Sequence, residues 1–298
     1  MNTLLASAAL VLALAAGPAS AQTYAPAVIH DQSPGLTPPP SSSQVLVPSG
    51  GLGMGGLFYL AGGPGPHPTL VLLHGLPGNE QNLDLAQAVR RAGWNVLTLH
   101  YRGSWGSPGA FSLAHVLEDA DAAVAYVRQP EIAAKYGIDV KRIVLGGHSM
   151  GGFATAAHAR HDPDLAGVVL LDAWNVGETG TQLAKVPAAQ RPAVAAREFD
   201  DFGNSLAGAT PLSVFEETVA HQGDWNYQAW AGALSKRPLL VIGAAKALGA
   251  ENHRLAQAVA AAGGHVTDIT LPSDHAFQDR RLELETDVVT WLAGLGGG

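Results

Sequence analysis

The chain has 298 residues, 47% of them apolar and 14% charged, enough for a sizeable core in one domain with an insertion or in two small domains. A formal net charge of −8 with no run of Lys or Arg argues against a nucleic-acid footprint and gives no reason to expect anionic lipid, which leaves a small or neutral molecule as the expected partner. The absence of cysteine excludes disulfides, thiolate metal sites and a cysteine nucleophile, while leaving the redox compartment open.

Residues 4–16 form an apolar segment too short to span a bilayer, followed by Gly17-Pro18 and Ala19-Ser20-Ala21. Residues 1–21 therefore read as a secretory signal peptide cleaved before Gln22, although only the α-amino group supplies its positive end. The mature protein is expected to be exported, periplasmic or secreted, without a stable membrane anchor. Residues 22–43 are rich in Pro and Ser and have no periodic apolar face, which predicts an extended leader ahead of a domain at 44–298.

Residues 44–48 and 57–61 read as strands joined by a Gly-rich turn. That turn spells Gly-x-Gly-x-x-Gly at Gly51, Gly53 and Gly56, but no Asp or Glu lies between Asp31 and Glu80 to hold a ribose, so a turn is the better reading than a dinucleotide site. A strand at 69–73 runs into His74-Gly75-Leu76-Pro77-Gly78, and a helix at 82–91 follows with Leu83, Ala86 and Val89 on one face. The next strand, 95–99, ends in His100-Tyr101-Arg102-Gly103. Ser112 can cap a helix whose apolar positions run from Leu113 to Val127 at helical spacing. Apolar strands recur at 143–145, 167–171, 238–242 and 266–271, and a last helix at 282–292 buries Leu284, Val288 and Trp291 or Leu292. The alternation predicts an α/β, doubly wound, mostly parallel sheet.

One interval breaks the pattern. Residues 173–237 are far longer than a crossover helix and predict a helical cap inserted after the sixth strand, divided by Pro187, Pro192 and Pro211. Trp225, Tyr227 and Trp230 near its end either pack the cap on the core or wall a substrate site.

The chemistry concentrates where the strand at 143–145 meets Gly147-His148-Ser149-Met150-Gly151 and becomes an alanine-rich helix. This is a nucleophile elbow, a turn so sharp that only residues without Cβ fit on either side of Ser149, whose hydroxyl then stands above the sheet. A serine hydroxyl needs a neutral imidazole to take its proton, and His275, on the loop after the last strand, is the candidate. The developing oxyanion needs backbone donors worth about 3 kcal/mol each; the N–H groups of Met150 and Leu76 are placed to supply them, with His74 organising the second loop. His148 should point away from the nucleophile. His158 and His161, three apart on one helix, could suit a metal but lack a third ligand, so neither a metal nor an organic cofactor is expected.

The segments 72–78, 100–103, 147–152 and 274–277 together resemble the α/β hydrolase superfamily of serine hydrolases, over about residues 44–292. The chain is similar to soluble esterases, lysophospholipase-like proteins and serine aminopeptidases, which share the cap after the sixth strand and the order of serine first and histidine last. The resemblance implies a triad acid just after the strand at 238–242, yet Gly243 to Ala250 contains no carboxylate and Glu251 is the first. Asp172, at the end of the preceding strand, is a location some members use; Glu251 would have to reach back from a helix; a third possibility is that no acid functions. Asp274, adjoining His275, should project elsewhere.

The expected function is cleavage of small carboxylic esters through an acyl-enzyme. The alternatives are a serine aminopeptidase or amidase, for which Asp200, Asp201, Glu216 and Glu217 could form an acidic pocket, and a catalytically impaired binding protein on the same fold. Acyl-chain preference and oligomeric state are left open.

Overall fold

A computed structural model describes residues 23–295, so the signal peptide expected at 1–21 lies outside the described residues. The chain begins with a one-turn helix α1 (Pro26–Ile29) and an antiparallel pair, β1 (Ser41–Ser49) and β2 (Leu52–Leu60). It continues through β3 (His67–Leu73), α2 (Leu83–Arg91), β4 (Asn95–Leu99), α3 (Leu113–Arg128), α4 (Pro130–Tyr136), β5 (Ile138–His148), α5 (Met150–Ala159) and β6 (Gly167–Leu171). A helical interval of α6 (Val176–Leu183), α7 (Arg191–Glu198), α8 (Pro211–Ala220) and α9 (Ala231–Leu234) then precedes β7 (Leu239–Ala244), α10 (Gly249–Ala261), β8 (Val266–Leu271) and α11 (Arg281–Gly294).

All eight strands join one sheet in the order β1-β2-β4-β3-β5-β6-β7-β8, antiparallel at β1–β2 and β2–β4 and parallel elsewhere. The period-two alternation of a strand divides the apolar residues between two layers. Val71, Leu73, Leu145, Val168 and Val241 face α3, α5 and the helical interval after β6, while Leu70, Leu72, Val144, Val169 and Leu240 face α2 and α11. Both faces of the central strands are thus covered, which is why β3 through β7 read as continuous apolar runs. β8 departs from this. It is the edge strand, and only Leu271 among its residues is buried.

Helix boundaries follow local chemistry. The Ser112 hydroxyl accepts the His115 N–H at 3.1 Å and starts α3. In the interval after β6, proline occupies the first turns of α7 and α8, where a missing N–H costs nothing, and Thr210 with Ser213 forms a capping box on α8. No helix among the described residues is long and apolar enough to cross a membrane.

Several local expectations need correction. The segment expected as a leader contains α1 and the first three residues of β1, because Ser41 to Ser43 complete the ladder opposite Leu60 to Phe58 beyond the point where the strand is buried. Gly53 and Gly56 belong to strand β2 and not to a turn, the turn being Gly50-Gly51. Leu83 is exposed, while Ala86 and Val89 are buried as expected together with Leu85 and Ala88. The strand expected at 143–145 begins at Ile138, preceded by the unforeseen α4.

Candidate active site

The turn from β5 into α5 holds Ser149 at φ 55° and ψ −119°, a conformation that costs a side-chain-bearing residue about 1–3 kcal/mol. The flanking glycines explain how the turn closes. A Cβ on Gly147 would lie 2.3 Å from the carbonyl carbon of Gly151, and one on Gly151 would lie 2.3 Å from the carbonyl oxygen of Leu73. The turn is then pinned by hydrogen bonds: Ser149 N–H donates to Leu171 at 3.0 Å, and the Ser149 carbonyl accepts from Phe153 and Trp174, each at 3.0 Å.

Asp172 follows β6 directly and also has positive φ, 40°. Its carboxylate is fully buried. Oδ2 lies 2.6 Å from Nδ1 of His275, on the loop after β8, whose side chain is 42% exposed. The same carboxylate accepts the N–H of Ala244 at 2.8 Å on Oδ1 and the N–H of Leu248 at 3.2 Å on Oδ2. The end of β7 and the loop after it, which lack an acid, thus contribute two amides that fix the carboxylate on the neighbouring strand. Held this way, the imidazole keeps its proton on Nδ1 and offers Nε2 as a base. Among the described residues neither Nε2 of His275 nor the Ser149 hydroxyl has a hydrogen-bond partner, so both are available to a third group.

The β3 loop closes over Ser149. A Cβ on Gly75 would approach the Ser149 Cβ to 2.9 Å, so only glycine lets the following residue, Leu76, come alongside the serine. Tyr101 donates to the His74 carbonyl at 2.9 Å and Trp105 Nε1 to the Pro77 carbonyl at 2.8 Å, which fixes the loop from the β4 side. His74 donates Nδ1–H to the Gly75 carbonyl at 2.7 Å, and burial lowers its pKa to about 4, keeping it neutral. Neither the Met150 nor the Leu76 amide donates to another described residue, as two oxyanion donors would require.

Two small cavities meet this rim. One of about 290 Å³ is lined by Leu76, Ser149, Trp174, Glu198, Phe199 and Asp200. The other, about 150 Å³, is bounded by Gly75 to Glu80, His148, His275 and Ala276. A groove of about 500 Å³ over the antiparallel end of the sheet, lined by Leu46, Leu57, Tyr59, Leu83 and His100, includes none of Ser149, Asp172 or His275. Size therefore does not mark the site; the convergence of reactive groups does.

Among the neighbouring residues, some lie where the sequence predicts and others do not. His148 does not point away: its ring lies 4.6 Å from that of His275, and Nε2–H donates to the His275 carbonyl at 2.7 Å, positioning that loop. Burial, with His275 beside it, lowers His148 to about 3. Its place before Ser149 was the available signal for its nearness to the site, but not for its direction. Glu251 lies away from His275, accepting from Tyr227 at 3.1 Å, and burial with Glu178 nearby raises it to about 7. Asp274 caps the Gln278 amide at 2.9 Å. Glu217 accepts the amides of Leu113 and Ala114, and Glu216 pairs with Arg191, so neither serves a pocket; the Asp201 side chain lies outside the described part of the structure. Trp225 and Trp230 pack on Phe153 with centroids 5.6 and 6.0 Å away, Tyr227 is fully buried, and the wall beside Ser149 is Trp174 and Phe199. Finally, His158 and His161 do have a third potential ligand, Asp121 of α3.

A model of the alpha/beta hydrolase family matches residues 70–286. An sn-1-specific diacylglycerol lipase of Xenopus tropicalis is 36% identical over 110 residues, 36% of this chain and 32% of the lipase. An alpha/beta hydrolase domain-containing protein of Arabidopsis thaliana is 26% identical over 138 residues, 40% of this chain and 43% of its own length. The chain thus spans less than half the length of these relatives. Among solved structures, a carboxyl esterase from Bacillus coagulans superposes with a TM-score of 0.64 at 15% identity, covering 86% of this chain and 99% of that one. Brefeldin A esterase, a bacterial homologue of human hormone-sensitive lipase, gives 0.62 at 20% identity over 86% and 77%. At these identities the structural likeness is one of fold.

Proposed function

The chain belongs to the alpha/beta hydrolase family, and from that premise we propose that it is a serine hydrolase cleaving carboxylic esters of small substrates through an acyl-enzyme. The observation that carries this reading is the buried Asp172 carboxylate 2.6 Å from His275 Nδ1, on the same rim of the sheet as Ser149. The esterase and lipase names among the similar proteins support the ester as substrate.

In this mechanism Ser149 Oγ attacks the ester carbonyl carbon while its proton passes to His275 Nε2. The carbonyl oxygen becomes an oxyanion held by the Met150 and Leu76 amides, worth about 3 kcal/mol each to the transition state. Collapse breaks the bond to the alkoxy oxygen, which takes the proton from His275 and leaves as the alcohol. Water repeats the sequence on the acyl-enzyme, giving up its proton to His275 and releasing the acid and Ser149. Asp172 stays ionised throughout, orienting the imidazole and stabilising its cationic form. The strained turn at Ser149 holds the residue at the cavity lined by Leu76, Trp174 and Phe199 through both halves.

The test is fluorophosphonate labelling and short aryl ester turnover of the protein beside Ser149→Ala. Both should vanish in the variant; a folded wild-type protein that neither labels nor turns over would sink the proposal. A second reading, hydrolysis of a substrate carrying an ammonium group, rests on Glu198 and Asp200 beside Trp174 and Phe199 in the Ser149 cavity. Glu198 already pairs with Arg197 at 2.7 Å, which weakens that field. Turnover of an aminoacyl anilide in preference to the aryl ester would select it. Export belongs to the same proposal, and N-terminal sequencing of secreted material starting at Gln22 would support it.

A further inference from the structure

We propose that Asp121, His158 and His161 form a binding site for a zinc-like divalent metal ion, which fastens α3 to the far end of α5, the helix that begins at Ser149. His158 is in the last turn of α5, His161 just beyond it, and Asp121 on α3. One potential ligand atom from each lies within 4.8 Å of the others.

The argument rests on what each nitrogen of His158 faces. Its Nε2 lies 2.7 Å from Oδ2 of Asp162, and Asp162 is gripped by Arg128 through two bonds, of 2.7 and 3.2 Å. The Nε2 proton is therefore committed to Asp162. A carboxylate holding the far nitrogen of an imidazole is the arrangement that usually orients a metal-ligating histidine. In the neutral ring the lone pair on Nδ1 then faces another acceptor, Asp121 Oδ1, at 2.6 Å. Something positive must lie between them. A proton on Nδ1 would satisfy this pair alone, whereas an ion would also engage His161, whose Nε2 lies 3.7 Å from the same carboxylate oxygen.

A metal ion satisfies all three groups. Tetrahedral ligands at 2.0–2.1 Å stand about 3.3 Å apart, so Asp121 would move off His158 by less than an ångström and slightly toward His161. Asp121 and His161 are both half exposed, 54% and 55%, which leaves a path of entry and room for water as the remaining ligand. Two imidazoles with one carboxylate select a borderline ion such as Zn²⁺ or Co²⁺ over Mg²⁺ or Ca²⁺, which prefer oxygen. The end of α5 also favours a cation, because its last carbonyls carry the negative end of the helix dipole.

The test uses the full chain, stripped with a chelator and titrated with Zn²⁺ by calorimetry and thermal unfolding. We expect one saturable site and, at about a hundred-fold excess over Kd, a Tm rise of about 5 °C. The rise should disappear in Asp121→Asn and in His161→Gln, both half-exposed positions whose apo Tm should match wild type, and persist in His253→Gln, which removes another surface histidine–aspartate pair. Co²⁺ should give tetrahedral-intensity visible absorption in wild type and neither variant; this spectrum decides the matter if a variant is less stable. Failure of wild type to bind Zn²⁺ below about 1 mM, or binding that survives both substitutions, overturns the proposal.

Discussion

Asp172→Asn is the sharpest test of the proposed mechanism, because the local bonding decides which way the amide turns. In the native site Oδ1 accepts Ala244 N–H at 2.8 Å, while Oδ2 faces both Leu248 N–H at 3.2 Å and His275 Nδ1 at 2.6 Å. The amide oxygen will keep the shorter, more buried backbone bond to Ala244, which places the NH₂ group against His275. Nδ1 must then accept, the ring proton moves to Nε2, and the imidazole can no longer take the Ser149 proton. The loss in kcat should be about 10⁴, equivalent to about 5.4 kcal/mol of transition-state stabilisation, with KM little changed. The Leu248 amide loses its acceptor as well, costing about 1–3 kcal/mol of stability, so the variant must be shown folded by thermal unfolding. Stopped-flow or steady-state hydrolysis of a short aryl ester, with fluorophosphonate labelling rates in parallel, reads the outcome. A folded Asp172→Asn protein within tenfold of wild-type kcat would refute the reasoning and reduce Asp172 to a clamp on the β7–α10 connection.

Other consequences are separable. Gly147→Ala forces a Cβ to 2.3 Å from Gly151, and we expect it to cost about 1–3 kcal/mol or more in urea denaturation and to abolish labelling. Glu251 has a folded-state pKa raised to about 7 from 4.5, so its contribution is fully present below pH 4.5 and is lost progressively as pH rises from there through 7. Glu251→Gln should accordingly gain stability over wild type most at pH 8, less at pH 5 and not at all below about pH 4, with unchanged ester turnover; loss of turnover would make Glu251 the acid. His148 has its pKa lowered to about 3, so the unfolded chain takes up a proton near pH 6.5 that the folded chain refuses. Stability from this group is complete above pH 6.5 and declines as pH falls toward 3. Relative to His148→Asn, wild type should lose about 1.4 kcal/mol per pH unit between roughly pH 6 and 4. The comparison with the variant is essential, because Glu285 and Asp287, raised to about 7 and about 6, push the raw profile the opposite way. Parallel pH profiles for the two proteins would contradict the assignment.

How far the sequence could be read depended on whether a feature was local. Apolar runs in β3 through β7 declared themselves because burial on both faces removes polar residues, and Ser149 was legible because its turn demands glycine at 147 and 151. Ser41 to Ser43 concealed the start of β1, since the end of an edge strand needs no apolar side chains to keep its ladder. Side-chain direction at an element's end was not legible: His148 lies at the last residue of β5, where no periodicity continues to say which way it turns. Contacts across the fold were least accessible. Asp121 and His158 are 37 residues apart and meet only because α3 and α5 share one face of the sheet.

The position of the acid can be understood from the same register. β6 and β7 are parallel neighbours with Leu171 opposite Ile242, so Asp172 leaves β6 beside Gly243, where β7 continues for two more residues against β8. The Asp172 amide itself donates to the Ile242 carbonyl at 2.7 Å. From either strand end a short carboxylate reaches the space beneath the β8 loop. What differs is the support. An acid at the end of β7 would occupy the segment that here supplies donors, whereas an acid on β6 can turn across to that segment, which its positive φ allows. The Ala244 and Leu248 amides then satisfy a buried charge that would otherwise be costly to hold, so the proposed mechanism needs no carboxylate at 243–250.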